Sequence, residues 1–586
     1  MPVIIRQREC PDNHALPDTL HPVIRRVLAA RQVLNDDELD YTLKSLQPYQ
    51  TLEDITPAVD LLQEALEHQR HILIVADFDA DGATSCAVGI RALQMMGATK
   101  LSYIVPDRAK HGYGLTPPIV DIAAEHQPEL LITVDNGISS FDGVQAAKDR
   151  DIKVLVTDHH LPSDQLPNAD AIVNPNRLDD NFPSKNLAGV GVIFYVMMAL
   201  RARLREINWF ESRGLPEPNL AQLLDLVALG TVADVVTLDY NNRILVEQGL
   251  RRMRGDQCCP GIRALMRVTR REQPHLVATD LAFYLGPRLN AAGRMENMSY
   301  GIECLLTDND ADAKTHAEQL DVFNQERRAV EADMLDDALS SLSKLSLDAE
   351  DTNIPFGLCL FDDNWHQGVI GILASRIKDR LNRPVIIFTS NEENTNEIKG
   401  SARSVRGVHI RDVLDAIAAK NTGLVTKFGG HAMAAGMSLS RENLEQFQQA
   451  FDEEVRRHLS QDDLQGMIYT DGELTAQDLT IELAELLRNL TPWGQNFPEP
   501  MFSGRFKLVQ KRNLKDQHLK LWIQPPDSNQ TVEVIAFNTT DKDWPERANT
   551  LELVYRLEVN IYRGAKSVQL NAAHIQAFAD KTAART

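Results

Sequence analysis

The sequence predicts an α/β protein of several domains that closes with a small β-barrel, and three observations carry this prediction. Between about 70 and 235, short β-rich runs alternate with helical stretches; a charged helical stretch without Gly or Pro extends from Ala311 to about Leu347; and five strand-like runs occupy the last 115 or so residues. At roughly 150 residues per domain, 586 residues amount to about three or four domains.

In order, residues 1–69 read as an N-terminal helical segment. The first lobe, 70–310, carries the runs HILIVA (71–76), LSYIVP (101–106), LLITV (130–134), KVLVT (153–157) and AIVN (171–174). Their alternation with helices implies βαβ units and a mainly parallel sheet. The charged stretch, 311–354, reads as a connector. A second α/β lobe, 355–460, has strands at GLCLF and PVIIF, a helix at VIGILASRIKDRL and the glycine-rich FGGHAMAAGMSLS. In 461–586 the runs GRFKLVQ, LKLWIQ, TVEVIAF, LELVYRLEVNIY and SVQLNAAHI suggest an OB-fold barrel.

Composition narrows the function. Lys+Arg 61 against Asp+Glu 83 gives a net charge of −22, so a polyanionic partner must be held by local basic surface against the overall field. Six scattered cysteines without a CxxC pair exclude a disulfide framework and a dithiol redox motif. The longest apolar run, Val190 to Leu200, has 11 residues, whereas about 20 are needed to span a bilayer. The N-terminus lacks the pattern of a signal peptide, and a cytoplasmic protein without a membrane segment is expected. No GxxxxGK[ST] loop and no G-x-S-x-G elbow is present, which argues against P-loop nucleotide hydrolysis and a serine hydrolase.

The informative pattern lies just beyond the strands of the first lobe. HILIVA leads into Asp77-Phe-Asp79-Ala-Asp81-Gly82, LLITV into Asp135-Asn-Gly, and KVLVT into Asp158-His159-His160; Asp234 comes after a helical stretch in GTVADVV. Ligands of an open parallel sheet bind at the carboxyl ends of its strands, so these clusters should converge. An EF-hand reading of DxDxDG fails, because position 12 counted from Asp77 is Val88 and a strand precedes the loop. Each acid alone fits a helix cap, but independent caps have no reason to fall at successive strand ends beside a histidine pair. Several carboxylates in one place demand cations, and oxygen ligands with an imidazole and no thiolate suit two divalent ions, Mn²⁺ or Mg²⁺. We assign Asp77, Asp79, Asp81, Asp135, His159 and Asp234 to the metals, with Asp135 bridging. His160 is left to face a scissile phosphate as proton donor or charge stabiliser, so His160, Asp135 and Asp81 form the expected catalytic set.

The motifs DFDADG, TVDNG, TDHH and TVADVV, in that order, resemble those of the DHH phosphoesterase superfamily. GSARS (Gly400 to Ser404) and GGHAMAAG (Gly429 to Gly436) resemble the DHH-associated substrate domain. With GPRLNAAGRM (Gly286 to Met295), the connector and the barrel, the whole chain is similar to the bacterial branch of the superfamily that degrades single-stranded DNA. The resemblance implies a metal-dependent 5′-to-3′ exonuclease releasing mononucleotides in recombination and mismatch repair, a monomer working beside a single-strand binding protein and a repair helicase. It further implies that Ser401, Arg403 and Arg288 or Arg294 engage the 5′-terminal phosphate or its neighbours.

Arg108, after the second strand, is placed to reach a phosphate beside the metals, and Asn290, Gly430 and His431 complete the expected substrate-binding set. Arg288 and Arg294 are read as flanking an Asn-Ala-Ala-Gly turn, and GGHAMAAG as a tract with backbone amides open to a phosphate. In the barrel, Arg505, Lys507, Lys511, Arg512, Lys515 and Lys520 against Asp516 predict a positive face. Trp522, Phe537, Tyr555 and Tyr562 are candidate base-stacking platforms, most of them expected in the core. Two other functions fit the first lobe: a phosphodiesterase for short oligonucleotides or cyclic dinucleotides, which needs no barrel, and an inactive strand-binding scaffold, against which the intact acids and histidines argue.

Overall fold

The structure, a computed structural model, describes residues 3–12, 14–107, 113–344, 355–391, 394, 396–460, 462–514, 518–526, 528–542, 544–545, 548–562 and 564–579. The chain forms two compact units.

The larger unit is built on a five-stranded parallel sheet in the order Leu101–Ile104, Ile72–Ala76, Leu130–Val134, Lys153–Thr157, Ala171–Val173. The central strands Ile72–Ala76 and Leu130–Val134 are apolar and buried throughout, as strands covered on both faces must be. Leu73, Val75, Leu131, Val154 and Val156 pack on one face against Ile119, Val120, Val144 and Ala147 of helices Pro117–Glu125 and Phe141–Lys148. On the other face Ile74 meets Gly89 of helix Ala80–Met95, where a Cβ would lie 2.9 Å from Ile74 Cδ1. From Ile72–Ala76 the chain winds first to one side and then to the other, so the topological switch point falls between this strand and Leu130–Val134. Asp77 and Asp135 are the first residues beyond those two strands.

Asp234 arrives from another direction, at the C-terminal end of helix Leu224–Ala233. That helix lies against Tyr240–Arg254, and the contact is close enough to require glycine: a Cβ on Gly249 would sit 2.2 Å from Leu224 O and 2.4 Å from Ala228 Cβ. The N-terminal segment has helices Pro22–Ala29 and Ile55–Glu67 and, in addition, a strand, Val3–Gln7. Arg31 pairs through two buried hydrogen bonds with Asp471 (2.7 and 3.0 Å), fastening this segment to the chain that leads into the barrel. The barrel itself closes in the order Phe502–Leu514, His518–Gln524, Val532–Ala536, Ala565–Phe578, Thr550–Tyr562, with one parallel pair, the topology of an OB-fold.

The smaller unit has a mixed sheet in the order Lys427–Gly430, Ala434–Ser440, Glu397–Arg403, Val385–Ser390, Leu358–Phe361. Alternation along the Val385–Ser390 strand explains its two cores: Val385 and Ile387 face Val369, Leu373 and Met334, while Ile386 and Phe388 face Phe447 and Phe451. Met334, Ala338 and Leu342 are the apolar stripe of the long helix Asp310–Lys344; residues 345–354 of the expected connector lie outside the described residues. Among the described residues no helix is long and apolar enough to cross a membrane.

The glycine contact yields a test. Gly249→Ala should destabilise the protein by about 1–3 kcal/mol, because the new methyl meets backbone on a packed helix pair. It should also weaken Mn²⁺ binding by displacing Asp234, read by thermal melts with and without Mn²⁺; an unchanged melting temperature would contradict the packing.

Candidate active site

At the switch point the predicted carboxylates converge. Three groups of side chains have ligand atoms within 4.8 Å of one another: Asp77, Asp79 and Asp135; Asp135, His159 and His160; and Asp81, His159 and Asp234. Asp135 and His159 each belong to two of them. His159 Nε2 lies 3.1 Å from Asp135 Oδ1, 3.4 Å from Asp234 Oδ2 and 4.0 Å from Asp81 Oδ2. Two glycines permit this crowding. A Cβ on Gly189 would stand 2.7 Å from Asp135 Oδ1, and one on Gly82 would stand 2.4 Å from Asp77 O.

Two of the acids are held by backbone amides. Asp79 caps helix Ala80–Met95, accepting from Asp81 N (2.9 Å) and Gly82 N (3.0 Å). Asp81 accepts from Gly189 N (2.6 Å) and Val190 N (2.9 Å) at the start of helix Gly189–Glu206, so both of its oxygens already serve a helix N-terminus. Capping and metal binding therefore coexist as readings here, since each carboxylate oxygen keeps a second lone pair. Asp135 adopts the left-handed conformation (φ 63°), which aspartate tolerates better than most residues.

The electrostatics of the site call for cations. Burial, followed by the charge of Asp79, pushes the Asp81 carboxyl up to about 7 against the pull of two backbone amides. Burial and the neighbouring acids hold Asp135 and Asp234 well above the ordinary carboxyl range. Asp135 Oδ1 is buried and accepts no hydrogen bond among the described residues, and the cationic partners of Asp135 and Asp234 there are limited to histidine. Divalent cations fit this donor set. Octahedral Mg²⁺ with oxygen at 2.0–2.1 Å keeps opposite ligands about 4 Å apart, within the span of each group.

Two residues of the site had no predicted role. Asp158 organises the histidine pair: Oδ1 accepts from the backbone N of His159 (2.7 Å) and His160 (3.1 Å) and meets His160 Nδ1 at 2.7 Å, while Oδ2 accepts from Ile138 N (2.9 Å). Burial would raise its carboxyl, but the hydrogen bond and charge of His160 outweigh it and hold Asp158 at about 2. The same pair, with the charges of Asp77 and Asp79, lifts His160 to about 9 in spite of burial. Asp158 follows its strand as Asp77 and Asp135 follow theirs, and that position was the available signal. Tyr113 donates to Asp135 O (3.1 Å) with its hydroxyl 3.2 Å from the ring nitrogens of His160; nothing in the sequence marks it.

The expected substrate-binding residues have mixed fates. Arg108 lies outside the described residues. The stretch expected to be a turn is the helix Gly286–Met295, in which Gly293 closes on Phe78 O (a Cβ would be 1.9 Å away). Asn290 accepts from Ala80 N (2.8 Å) and so braces the acid loop. Arg288 is bound to Asp321 (2.7–2.8 Å) and Tyr284 O (2.6 Å), an ion-pair role in place of an open guanidinium. Arg294, with the smaller unit, donates to Gly368 O (3.0 Å).

In the smaller unit Ser401 and Arg403 lie on one strand, with Arg403 NH1 3.2 Å from Ser401 Oγ. GGHAMAAG is a β-hairpin: Gly429 and Gly430 pair with Gly436 and Ala435, and His431 N donates to Ala434 O (2.8 Å). Its inner strand therefore spends its amides on neighbours, although open space remains above Gly429 and Gly436.

Part of the barrel's positive face is paired. Arg505 meets Glu552 (3.7 Å) and Lys520 Glu533 (2.9 Å) across adjoining strands, and Lys511 meets Asp541 of a loop (2.6 Å), whereas Lys507 and Arg512 form no ion pair among the described residues. Lys515 and Asp516 lie outside the described residues. Tyr555 is buried and Trp522 half-buried, whereas Phe537 is 56% exposed.

A parallel sheet whose switch point gathers carboxylates and a DHH tripeptide defines a protein of the DHH class. The DHH family N-terminal domain matches residues 71–231, the DHHA1 domain 354–457 and the RecJ OB domain 470–574. The single-stranded-DNA-specific exonuclease RecJ of Dickeya dadantii is 51% identical, covering 96% of this chain and 97% of that one. The RecJ of Escherichia coli is 48% identical, covering 97% and 98%. A crystal structure of RecJ in complex with Mn²⁺ from Thermus thermophilus superposes with a TM-score of 0.81 at 27% identity, over 98% of this chain and 79% of that one. The chain belongs to the RecJ family.

The raised carboxyls make stability depend on pH in a metal-sensitive way. Unfolded aspartates ionise near pH 4, whereas Asp81 holds its proton to about 7 and Asp135 and Asp234 hold theirs above the ordinary range. Above about pH 4 the folded chain thus binds more protons than the unfolded one, and stability falls as pH rises towards 7. In EDTA the melting temperature should drop between about pH 5 and 8, and the upward shift given by Mn²⁺ should grow over the same range. A Mn²⁺ shift independent of pH would contradict the charge cluster.

Proposed function

We propose that the protein is a metal-dependent exonuclease that hydrolyses the phosphodiester bonds of single-stranded DNA. The observation that carries this reading is the sharing of Asp135 and His159 among three overlapping ligand groups at the switch point. Relatives named single-stranded-DNA-specific exonucleases and structures of RecJ solved with Mn²⁺ and with Mg²⁺ support it. Asp77, Asp79, Asp135, His159 and Asp234 are assigned to two divalent ions, with Asp135 shared; Asp81, which already serves a helix N-terminus, completes the set. When bound, such ions supply Lewis acidity and a water of lowered pKa.

The chain's own residues do the rest. Asp158 engages His160 Nδ1, which leaves Nε2, 3.2 Å from the Tyr113 hydroxyl, as the nitrogen fit to stabilise a scissile phosphate or to give a proton to the departing oxygen. Tyr113 fixes the backbone of Asp135 from the same side. Ser401 and Arg403 form a fork suited to a strand phosphate, and Gly429 and Gly436 leave room beside them. Attack from the 5′ end, and a single-strand binding protein and helicase as partners, rest on the family resemblance; a cytoplasmic location rests on the scattered, unpaired cysteines. The OB domain disfavours a phosphodiesterase confined to short oligonucleotides.

Asp135→Asn, which keeps the volume and removes the charge, should lower Mn²⁺-dependent cleavage by roughly 10³-fold or more while strand binding in EDTA persists. Single strands labelled at the 5′ or the 3′ end measure both rate and polarity; undiminished cleavage by the variant would refute the metal assignment. Asp158→Asn should cost about 10–100-fold in activity or in Mn²⁺ affinity, read from the Mn²⁺ dependence of the rate, since it disturbs the histidines without removing a ligand. A wild-type Mn²⁺ profile would show that the doublet does not depend on it.

A further inference from the structure

Helix Gly286–Met295 buttresses two walls of the acid site with one of its faces. Gly286, Asn290 and Gly293 stand at i, i+4 and i+7, the spacing that lines residues up along one side of a helix. Gly286 meets the wall that carries Asp234: a Cβ there would lie 3.0 Å from Ala233 Cβ. Gly293 meets the wall that carries Asp77 and Asp79, where a Cβ would lie 1.9 Å from Phe78 O. Between the two glycines, Asn290 Oδ1 accepts from Ala80 N (2.8 Å) at the start of helix Ala80–Met95.

That bond completes the accounting of amides at the helix start. The N–H groups of Ala80, Asp81 and Gly82 have no partner in the helix itself, whose first internal bond runs from Ala83 N to Asp79 O. A capping side chain reaches the second and third of these, and Asp79 Oδ1 takes both (2.9 and 3.0 Å). The first belongs to Ala80, which is 1% exposed, so its acceptor must come from elsewhere in the fold, and Asn290 supplies it. Asp79 Oδ2 therefore serves none of these amides. Its carboxylate is one of the three, with those of Asp77 and Asp135, that gather within 4.8 Å of one another.

We propose that Asn290 is a positioning residue of the metal site: by capping Ala80 from a neighbouring helix it leaves Asp79 Oδ2 to a cation and fixes the acid loop that begins at Asp77. The proposal rests on the metal-dependent reading above and gives Asn290 this role in place of the strand contact expected from the sequence. Without its side chain the Ala80 amide would be buried with no acceptor, and the loop would have to shift or admit water to satisfy it. Asp79 and Asp81 flank Ala80 on either side, so such a shift moves two proposed ligands at once.

Mn²⁺ titrations without DNA, followed by the electron paramagnetic resonance signal of free Mn²⁺, decide between the two roles. Asn290→Ala should weaken Mn²⁺ binding about 10- to 100-fold, while a long thymine oligomer in EDTA binds with wild-type affinity. In cleavage the loss should appear as a higher Mn²⁺ requirement at unchanged KM for the strand. Asn290→Asp keeps an acceptor in the same place and should restore Mn²⁺ affinity, a rescue that a merely space-filling residue would not show. Asn290→Leu, of similar volume but without an acceptor, makes the same comparison should Asn290→Ala not fold. Wild-type Mn²⁺ affinity in the variants without an acceptor, equal weakening in Asn290→Asp, or a loss of strand affinity in EDTA would each overturn the positioning role. A wild-type chain that binds Mn²⁺ and yet leaves single-stranded DNA intact would overturn the exonuclease reading alone.

Discussion

Mutual repulsion of carboxylates at one end of a parallel sheet is the constraint on which the rest of the structure turns. Asp77, Asp79, Asp81, Asp135 and Asp234 are brought within a few ångströms of a histidine pair, in surroundings where burial already disfavours their charge. A fold bears such a cluster only if the backbone holds it in place and cations complete it. Both conditions leave marks. Glycines stand where a methyl would strike an acid, and amides of two helix N-termini are turned towards Asp79 and Asp81.

Strain gathers at the same place. Val235, directly after Asp234, has φ 63°, a conformation that a β-branched residue adopts only when its surroundings impose it, at a cost of about 1–3 kcal/mol. With a 60% exposed side chain, it gains little packing in return. The turn it makes ends helix Leu224–Ala233 at the residue whose carboxylate reaches His159, so the strain accompanies the placement of a proposed ligand. Asp135, left-handed as well, gives the same association on the opposite wall.

How much the sequence disclosed depends on how local each feature is. Strand ends are set by runs of five or so apolar residues and the βαβ order, so the positions of Asp77 and Asp135 are legible before any coordinates. The barrel strands are legible for the same reason. Arg288 is not, because its fate depends on Asp321, 33 residues away on the following long helix. The basic run of the barrel misleads likewise: Glu552 and Glu533 become neighbours of Arg505 and Lys520 only once strand register is known. The NAAG stretch lacks bulk and reads as a turn; in the fold, small residues let a helix come against Phe78. Asp158 shows the opposite case, a residue in plain view whose role depends on geometry that only the folded backbone supplies.

These corrections change how a strand can be held by a chain of charge −22. Were the barrel a continuous positive surface, long-range attraction would draw DNA in and added salt would steeply weaken the complex. With Arg505, Lys511 and Lys520 already paired, part of that term is absent, and contacts of short range must carry more of the affinity. Exposed aromatic faces and room beside glycine backbone are contacts of that kind. They suit an unpaired strand, whose bases are free to stack and whose phosphates can approach singly, better than a duplex, whose bases are hidden. An acidic protein of this design holds single strands through what it contacts, because its overall field repels DNA of either form.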